Sequence, residues 1–263
     1  LANKESLVAG GDLVMAYGSE KIIPVDSEHS ALFQAMSAGR ASDVSKLILT
    51  ASGGPFRDRQ DLSKVKLADA LAHPTWSMGP VVTINSATLV NKGLEIIEAH
   101  YLFDIAYSKI EAVIHPQSIV HSLVEFKDGS TLAQASPPDM KGPIAYALAY
   151  PNRVGGAMAP INWNSKQSWE FEPIDEKRFP AVQLARRAGA LGSSVAAIYN
   201  AANEVAVAAF MKEEIAFTAI VDTIEKVVDK LSASAPSRIR DISDVSAIEQ
   251  DARIYAREVL EKG

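Results

Sequence analysis

The chain has 263 residues, 48% of them hydrophobic, and this length fits two compact domains better than one. Its net charge is -6 and the sequence carries no basic stripe, so nucleic acid is not an expected partner. Cysteine is absent, which excludes disulfides, thiolate metal sites and a cysteine nucleophile, so any metal ion must bind to oxygen or imidazole.

Short β-rich runs that stop at polar loop residues predict three strands in the first half of the chain, at 20–26, 46–50 and 80–84. Apolar residues at helical spacing predict a helix over 86–101. Two further runs, 120–126 and 130–134, flank Asp128-Gly129 and predict a hairpin. Strands that alternate with helices indicate an α/β (α+β) fold with a mixed sheet.

The second half of the chain differs in composition and in the spacing of its apolar residues. Residues 151–178 are rich in Pro, Gly and Asn without a clear period, which predicts a linker. From 179 onward, apolar residues at three- and four-residue steps predict a C-terminal α-helical bundle. The longest apolar run, 195–211, is interrupted by Asn200, Asn203 and Glu204, which favours a buried helix over a membrane span. We therefore expect no membrane partner.

Asp26 and Glu28 follow the first predicted strand. Side chains alternate along a strand, so carboxylates at this spacing can point into one cleft and bind a hard cation. The alternative is a solvated loop or a helix N-terminus, where acidic residues are good caps. The sequence of this segment leaves both open.

Residues 85–95 combine a hydroxyl, an amide, an ammonium group and a carboxylate within about three helical turns. Ser86 is expected near a helix N-terminus, where free N–H groups favour an anion. Lys92 can neutralise a phosphate, and Glu95 shares a helix face with Asn91 and Lys92. The segment predicts a phosphate at one end and a metal at the other; the alternative is an ordinary amphipathic helix.

Two loops and one histidine are weaker candidates. Ser52 opens a Gly-Gly loop that lets the backbone approach a ligand closely, although plain turns look the same. His73, Trp76 and Met78 occupy a segment framed by Pro and Gly, which either closes over a ligand or packs on the core. A lone histidine on a strand, such as His121, is more often structural than catalytic.

Taken together, these segments resemble the 1-deoxy-D-xylulose 5-phosphate reductoisomerase family. The resemblance covers nearly the whole chain in the right order, and its segments are 1–8, 25–29, 52–56, 73–79, 86–95, 114–122, 138–140 and 200–204. The sequence departs from the family pattern at Ser30 and at Ile84-Asn85. The resemblance implies that a divalent ion polarises a sugar-phosphate ketone, that the carbon chain is rearranged, and that NADPH reduces the resulting aldehyde. The implied product is 2-C-methyl-D-erythritol 4-phosphate, an isoprenoid precursor.

The resemblance also assigns roles to individual residues. The implied ligands of Mg²⁺ or Mn²⁺ are Asp26, Glu28 and Glu95, and these are joined as catalytic residues by Lys4 and His121. The implied contacts of the phosphorylated sugar are Ser27, Ser52, His73, Trp76, Ser86, Asn91, Lys92 and Ser118. The implied contacts of NADPH are Asn3, Lys4, Glu5, Met78 and Met140. Residues 70–80 resemble a mobile lid.

The family begins with a Rossmann-like NADPH-binding domain that carries a Gly-rich phosphate loop, and only the last piece of this domain is matched here. We therefore expect 1–25 to be a remnant of that domain, 26–150 the catalytic domain, 151–178 a linker and 179–263 the helical domain. The resemblance further implies a homodimer in the bacterial cytoplasm, or in a plastid if the source is a plant. The alternative hypothesis is a naturally short, metal-dependent phosphosugar-binding module without redox activity.

Overall fold

A mixed sheet lies at the centre of the computed structural model, which describes residues 1–262. Its strands are β1 (Val44–Ala51), β2 (Ile110–Ile114), β3 (Val120–Phe126), β4 (Thr131–Ala135) and β5 (Glu172–Pro173). Their order is β4-β3-β1-β2-β5. β1 is parallel to β2, whereas the other neighbours are antiparallel, so the predicted mixed sheet is confirmed.

The parallel pair fixes where two important loops begin. Ala51 at the end of β1 is in register with Ile114 at the end of β2. The loops that follow, from Ser52 and from His115, therefore leave the same edge of the sheet side by side. The predicted strand at 46–50 lies inside β1 and is confirmed.

The predicted hairpin is also confirmed, because β3 and β4 pair around Asp128-Gly129. Ser130 donates its N–H to Asp128 Oδ1 at 2.9 Å, and Gly129 donates to the carbonyl of Phe126 at 3.0 Å. These local hydrogen bonds are typical of turns that begin with Asp.

Residues 1–262 also form ten α-helices. Those of the first part are α1 (Glu5–Met15), α2 (Ser27–Met36), α3 (Leu67–Leu71), α4 (Pro80–Ala87), α5 (Val90–Phe103) and α6 (Lys141–Ala149). The C-terminal helices are α7 (Ala181–Leu191), α8 (Ser193–Met211), α9 (Ala219–Leu231) and α10 (Ile242–Lys262). The predicted helical C-terminal part is confirmed.

Two strand predictions were wrong. Residues 80–84 belong to helix α4, because Pro80 after Gly79 occupies the first helical turn, where a missing N–H costs nothing. Residues 20–26 form a 3₁₀ turn at Ser19–Lys21 and then an extended segment. The backbone of that segment bonds to the start of the chain, where the Val25 N–H donates to the Leu1 carbonyl and the Leu1 amine donates to the Ile23 carbonyl.

The predicted helix over 86–101 is two helices. Leu89 has a φ of 60° and separates α4 from α5. α5 then packs directly against the C-terminal helices, since a Cβ on Gly93 would lie 2.7 Å from Ala185 Cβ and 2.9 Å from the Tyr199 hydroxyl. A glycine at this position allows the close approach of α5 to α7 and α8.

One helix, α8, is long and apolar enough to cross a membrane by length and composition, but 78% of its apolar stretch is buried inside the protein. The stripe predicted on α9 is likewise internal, since Ile220, Ile224 and Val227 are fully buried. Both helices contribute to one continuous core with α5 and β1. This core holds the inner face of α5 in place, and the opposite face of α5 carries site residues.

Candidate metal and phosphate site

A cavity of about 400 Å³ opens where the segment before α1, the start of α2, the end of β1, the 73–79 loop and α5 meet. Most of the site residues expected from sequence line it. These are Lys4, Asp26, Ser27, Glu28, Ser52, His73, Trp76, Met78, Ser86, Asn91, Lys92, Glu95, Ser118, His121 and Met140. The chain thus brings together side chains that are up to 136 positions apart, from Lys4 to Met140.

Three carboxylates converge in this cavity and are called here the acidic cluster (Asp26, Glu28 and Glu95). One oxygen from each lies within 4.8 Å of the others. The argument from alternating side chains assumed that Asp26 and Glu28 end a strand, but they do not. Asp26 is the N-cap of α2 and Glu28 lies in its first turn, where the helix dipole stabilises negative charge.

Two lysines are ion-paired with the acidic cluster. Lys4 Nζ lies 2.5 Å from Asp26 Oδ2 and donates to Glu95 Oε1 at 3.1 Å. Lys92 Nζ donates to Glu28 Oε1 at 2.8 Å and also contacts Glu95. The shared helix face predicted for α5 is confirmed, because Asn91 and Lys92 both bond to Glu95.

Burial and the paired charges perturb these groups in opposite directions. Burial and the neighbouring Glu28 raise the pKa of Glu95 to about 7, although Lys4 and Lys92 oppose the shift. For Glu28, burial disfavours the charge, but Lys92 and Lys4 outweigh it and hold the pKa well below its usual range.

A second buried group lies directly behind the acidic cluster. His29 Nε2 lies 2.9 Å from the backbone carbonyl of Glu95, and His29 Nδ1 lies 3.3 Å from Glu98 Oε2. Burial raises the pKa of Glu98 to about 7. Asp26, His29 and Glu98 also have ligand atoms within 4.8 Å of one another. Sequence reasoning missed His29 and Glu98, which lie three positions after Asp26 and Glu95, one helical turn along the same faces.

Neutral donors form a second cluster in the cavity wall, called here the hydroxyl cluster (Ser52, His73 and Ser86). His73 Nδ1 accepts the N–H groups of Thr75 and Trp76 at 3.1 and 2.9 Å. Its Nε2 therefore carries the hydrogen and faces the hydroxyls of Ser52 and Ser86 at 3.0 and 3.1 Å. Burial lowers the pKa of His73, which favours this neutral form.

Ser86 reaches the cavity in a different way from the one predicted. It lies near the end of α4 and not at a helix N-terminus, so the argument that free N–H groups favour an anion at this residue was wrong. Loop 52–54 approaches α4 closely here. A Cβ on Gly54 would lie 3.0 Å from the Ser86 carbonyl, and the Gly54 φ of +63° also favours glycine.

The remaining predicted residues divide into two groups. Trp76 lies edge-on to His121 at 6.3 Å between ring centroids, and both line the cavity with Met78, Ser118 and Met140. Asn3 and Glu5 do not line it. The Asn3 side chain instead accepts hydrogen bonds from Ser6 at the start of α1. The structure also places Val82, Leu89 and Ile144 in the cavity wall, which sequence reasoning missed because they carry no polar group.

Comparison with known proteins identifies the family. Two family models match: the DXP reductoisomerase C-terminal domain over residues 135–255 and the 1-deoxy-D-xylulose 5-phosphate reductoisomerase C-terminal domain over residues 22–103. A relative from Kitasatospora griseola with the latter enzyme name is 56% identical over 98% of this chain and 68% of its own length. The chain belongs to the 1-deoxy-D-xylulose 5-phosphate reductoisomerase family.

Other members of the family are similar to this chain over a comparable length. A reductoisomerase from Streptomyces avermitilis is 55% identical over 98% of this chain and 66% of its own length. A DOX-P reductoisomerase solved with NADPH, fosmidomycin and magnesium has a TM-score of 0.92 at 40% identity, over 99% of this chain and 69% of that one. The Zymomonas mobilis enzyme solved with NADPH has a TM-score of 0.91 at 42% identity. The chain thus spans about two thirds of the length of these family members.

Proposed function

We propose that this chain carries the metal and substrate site of an NADPH-dependent enzyme that converts 1-deoxy-D-xylulose 5-phosphate to 2-C-methyl-D-erythritol 4-phosphate. The observation that carries the proposal is one cavity that is lined by both the acidic cluster and the hydroxyl cluster. A short sugar phosphate has the matching ends, a ketone with a neighbouring hydroxyl and a phosphate. The names and bound ligands of the family members support the same activity.

The acidic cluster fits a divalent ion. All three groups offer carboxylate oxygens, which Mg²⁺ and Mn²⁺ prefer. Within residues 1–262, Asp26 Oδ2 is buried and has an ion pair with Lys4 but no well-aligned hydrogen bond. When bound, the ion supplies Lewis-acid polarisation of the substrate carbonyl.

The chain's own residues then hold and enclose the substrate. The hydroxyls of Ser52 and Ser86 and the Nε2–H of His73 bind the phosphate, and Lys92, which is paired with Glu28, contributes positive charge. Trp76, on the loop that frames the cavity, excludes water when the loop closes. Met78 and Met140 offer apolar surface on which the nicotinamide packs.

The alternative, a phosphosugar-binding module without redox activity, shares the metal and phosphate site and differs only in turnover. It has less support, because family members with 54–56% identity over nearly the whole chain are named as reductoisomerases. The experiment that separates the two compares the 263-residue chain with the same chain fused to the upstream third of the Kitasatospora griseola relative.

We expect the chain alone to bind Mn²⁺ and fosmidomycin but to oxidise no NADPH at micromolar cofactor. The 263 residues do not include the family's Gly-rich loop for the pyrophosphate, so the NADPH dissociation constant should be millimolar at best. This corresponds to a binding free energy on the order of 4 kcal/mol. The fusion should consume NADPH in the presence of substrate and Mn²⁺, and the Glu95→Gln fusion should not. A fusion that binds fosmidomycin yet never consumes NADPH would favour the non-redox alternative.

The chain also offers a surface for a second copy of itself, and we infer a homodimer. Helix α6 contains no buried residue, and Leu148 on it is 85% exposed. Strand β4 is an edge of the sheet, and Leu132 on it is exposed. An unpaired edge strand can pair with its own copy about a two-fold axis. Sedimentation equilibrium tests this: the chain should be a dimer and Leu148→Glu a monomer, whereas a monomeric unaltered chain at micromolar concentration would contradict it.

A further inference from the structure

His115 lies outside the cavity lining, but it is fully buried at the base of the loop that carries Ser118. Its Nε2 accepts two backbone N–H groups, from Ile119 and Val120, each at 3.1 Å. An imidazole nitrogen that accepts carries no hydrogen, so the hydrogen is on Nδ1. Nδ1 donates to the backbone carbonyl of Glu170 at 2.8 Å. Both ring nitrogens are therefore hydrogen-bonded to backbone groups, which fixes the tautomer with the hydrogen on Nδ1.

The loop held by this ring is strained. Ser118 has a φ of +51°, a conformation that few residues other than glycine adopt, and it is 7% exposed at the cavity wall. Its N–H bonds to the His115 carbonyl at 3.1 Å, and the two amides that follow it are those bound by His115 Nε2. Strained backbone of this kind persists only where the surroundings over-determine it, and it is concentrated at functional sites.

The same histidine ties the loop to the 151–178 connection. Its ring stacks on Phe171 at 4.5 Å with an interplanar angle of 10°. Gln117 and Glu170 exchange two further hydrogen bonds at 3.2 Å. Glu172 and Pro173, directly after this contact, form β5 against β2. The connection is thus fastened to the sheet at the point where the Ser118 loop leaves it.

We propose that His115 is a positioning residue for substrate binding, which holds Ser118 in its left-handed conformation at the cavity, and that Phe171 holds His115. This inference rests on the proposed function and on the contact with the phosphorylated substrate that the family resemblance implies for Ser118. It gives the 151–178 connection a part in substrate affinity, through backbone contacts to a ring that never touches the substrate. Because His115 does not contact the acidic cluster, metal binding is independent of it.

The test measures fosmidomycin and Mn²⁺ affinities separately by calorimetry. His115→Gln should weaken fosmidomycin binding about tenfold at saturating Mn²⁺ and change Mn²⁺ affinity less than twofold. In a Ser118→Ala background, His115→Gln should cost less than twofold more, because the residue through which it acts is gone. Independent, multiplicative losses in the double variant would overturn the proposal, as would a parallel loss of Mn²⁺ affinity.

A milder variant keeps the proposal testable if His115→Gln does not fold. Phe171 is 44% exposed, so Phe171→Leu removes the stacking with little risk to the core, and it should weaken fosmidomycin about threefold. Trp163→Leu is the matched control: it changes another exposed aromatic of the same connection, one that does not stack on His115, and should have no effect. Equal affinities in the two variants would contradict the proposal.

Amide hydrogen exchange provides a readout that does not depend on the proposed function. The Ile119 and Val120 amides should be protected in the unaltered chain and exchange faster in Phe171→Leu and His115→Gln. If the unaltered chain binds no fosmidomycin but these amides respond as expected, the proposed function fails while the positioning role of His115 survives. Unchanged exchange in both variants would remove that role.

Discussion

The two ends of the cavity are built from different kinds of groups. The acidic cluster has three carboxylates paired with Lys4 and Lys92, so it carries one excess negative charge when every group is ionised. The hydroxyl cluster consists of two hydroxyls and a neutral imidazole. The first end is suited to a cation and the second to an anion that is bound by hydrogen bonds.

This difference makes binding at the two ends interdependent. A divalent ion changes the local charge of the acidic end from about -1 to about +1, which favours a phosphate dianion nearby. Without the ion, the excess negative charge opposes an anion, although neutral donors are in place. Metal ion and phosphate should therefore bind with positive cooperativity, and mutations at the two ends should separate their effects.

The largest expected effect comes from removing one carboxylate. Glu95→Gln should weaken Mn²⁺ binding well over tenfold, a loss of more than about 1.4 kcal/mol, because an amide is a much poorer ligand than a carboxylate. Calorimetric titration measures it. Glu98→Gln is the matched control, since Glu98 is also buried and lies one turn further along α5. If Glu98→Gln loses the ion and Glu95→Gln retains it, the cation binds to the Asp26, His29 and Glu98 group instead.

The next largest effect comes from removing the positive charge of Lys92, which is paired with the acidic cluster. Lys92→Met should weaken fosmidomycin binding about tenfold without weakening Mn²⁺ binding, because the lysine competes with the cation but attracts the anion. Lys46→Met, at an exposed ion pair on the sheet, serves as the control. A parallel loss of both affinities would mean that Lys92 chiefly holds α5 and α2 together.

The effect of pH on Mn²⁺ affinity should be somewhat smaller than the effect of Lys92→Met on fosmidomycin binding. Because the pKa of Glu95 is raised to about 7, the folded chain holds a proton there that the ion must displace. Mn²⁺ affinity should therefore rise about fivefold from pH 6 to pH 7 and level off above. In the metal-free chain, this raised pKa stabilises the fold at low pH, and the contribution is lost as the pH rises through about 7. Mn²⁺ titrations across this range, with proton release measured, check it; a flat profile would contradict it.

The smallest effect belongs to the neutral end. Ser86→Ala removes one hydroxyl from the hydroxyl cluster and should weaken fosmidomycin about threefold, a loss of about 0.65 kcal/mol, because the Ser52 hydroxyl and the His73 Nε2–H remain to bind the anion. Mn²⁺ affinity should not change. Ser63→Ala, on an exposed turn, is the control. A loss as large as that of Lys92→Met would show that the hydroxyl end contributes more than a hydrogen bond.

The sequence predicts those parts of the fold that depend on local signals. The Asp128-Gly129 hairpin and the apolar stripe of α9 were predicted because each is encoded within a few residues. The run after Pro80 was misinterpreted because Val, Val, Thr and Ile favour strands. Proline at a first helical position and tertiary packing decided otherwise.

Site residues follow the same division. The residue types of Asp26 and Glu28 predicted a possible cation site, but whether the two residues lie at the end of a strand or at the start of a helix was left open. The convergence of Lys4 with Glu95 spans 91 positions, and that of Lys92 with Glu28 spans 64, which no local pattern records. The roles of Ser118 and Met140 came from the resemblance alone, and the buried His115 beside the Ser118 loop donates to the Glu170 carbonyl, 55 positions further along the chain.

The most direct measurement is anomalous scattering from a crystal of the chain soaked in manganese chloride. We expect one strong manganese peak in the cavity, about 2.1 Å from a carboxylate oxygen of each of Asp26, Glu28 and Glu95. Lys4 Nζ should move away from Asp26 to make room for the ion. A peak between Asp26, His29 and Glu98, or no peak in this cavity at a concentration that saturates binding, would contradict the assignment of the acidic cluster as the metal site.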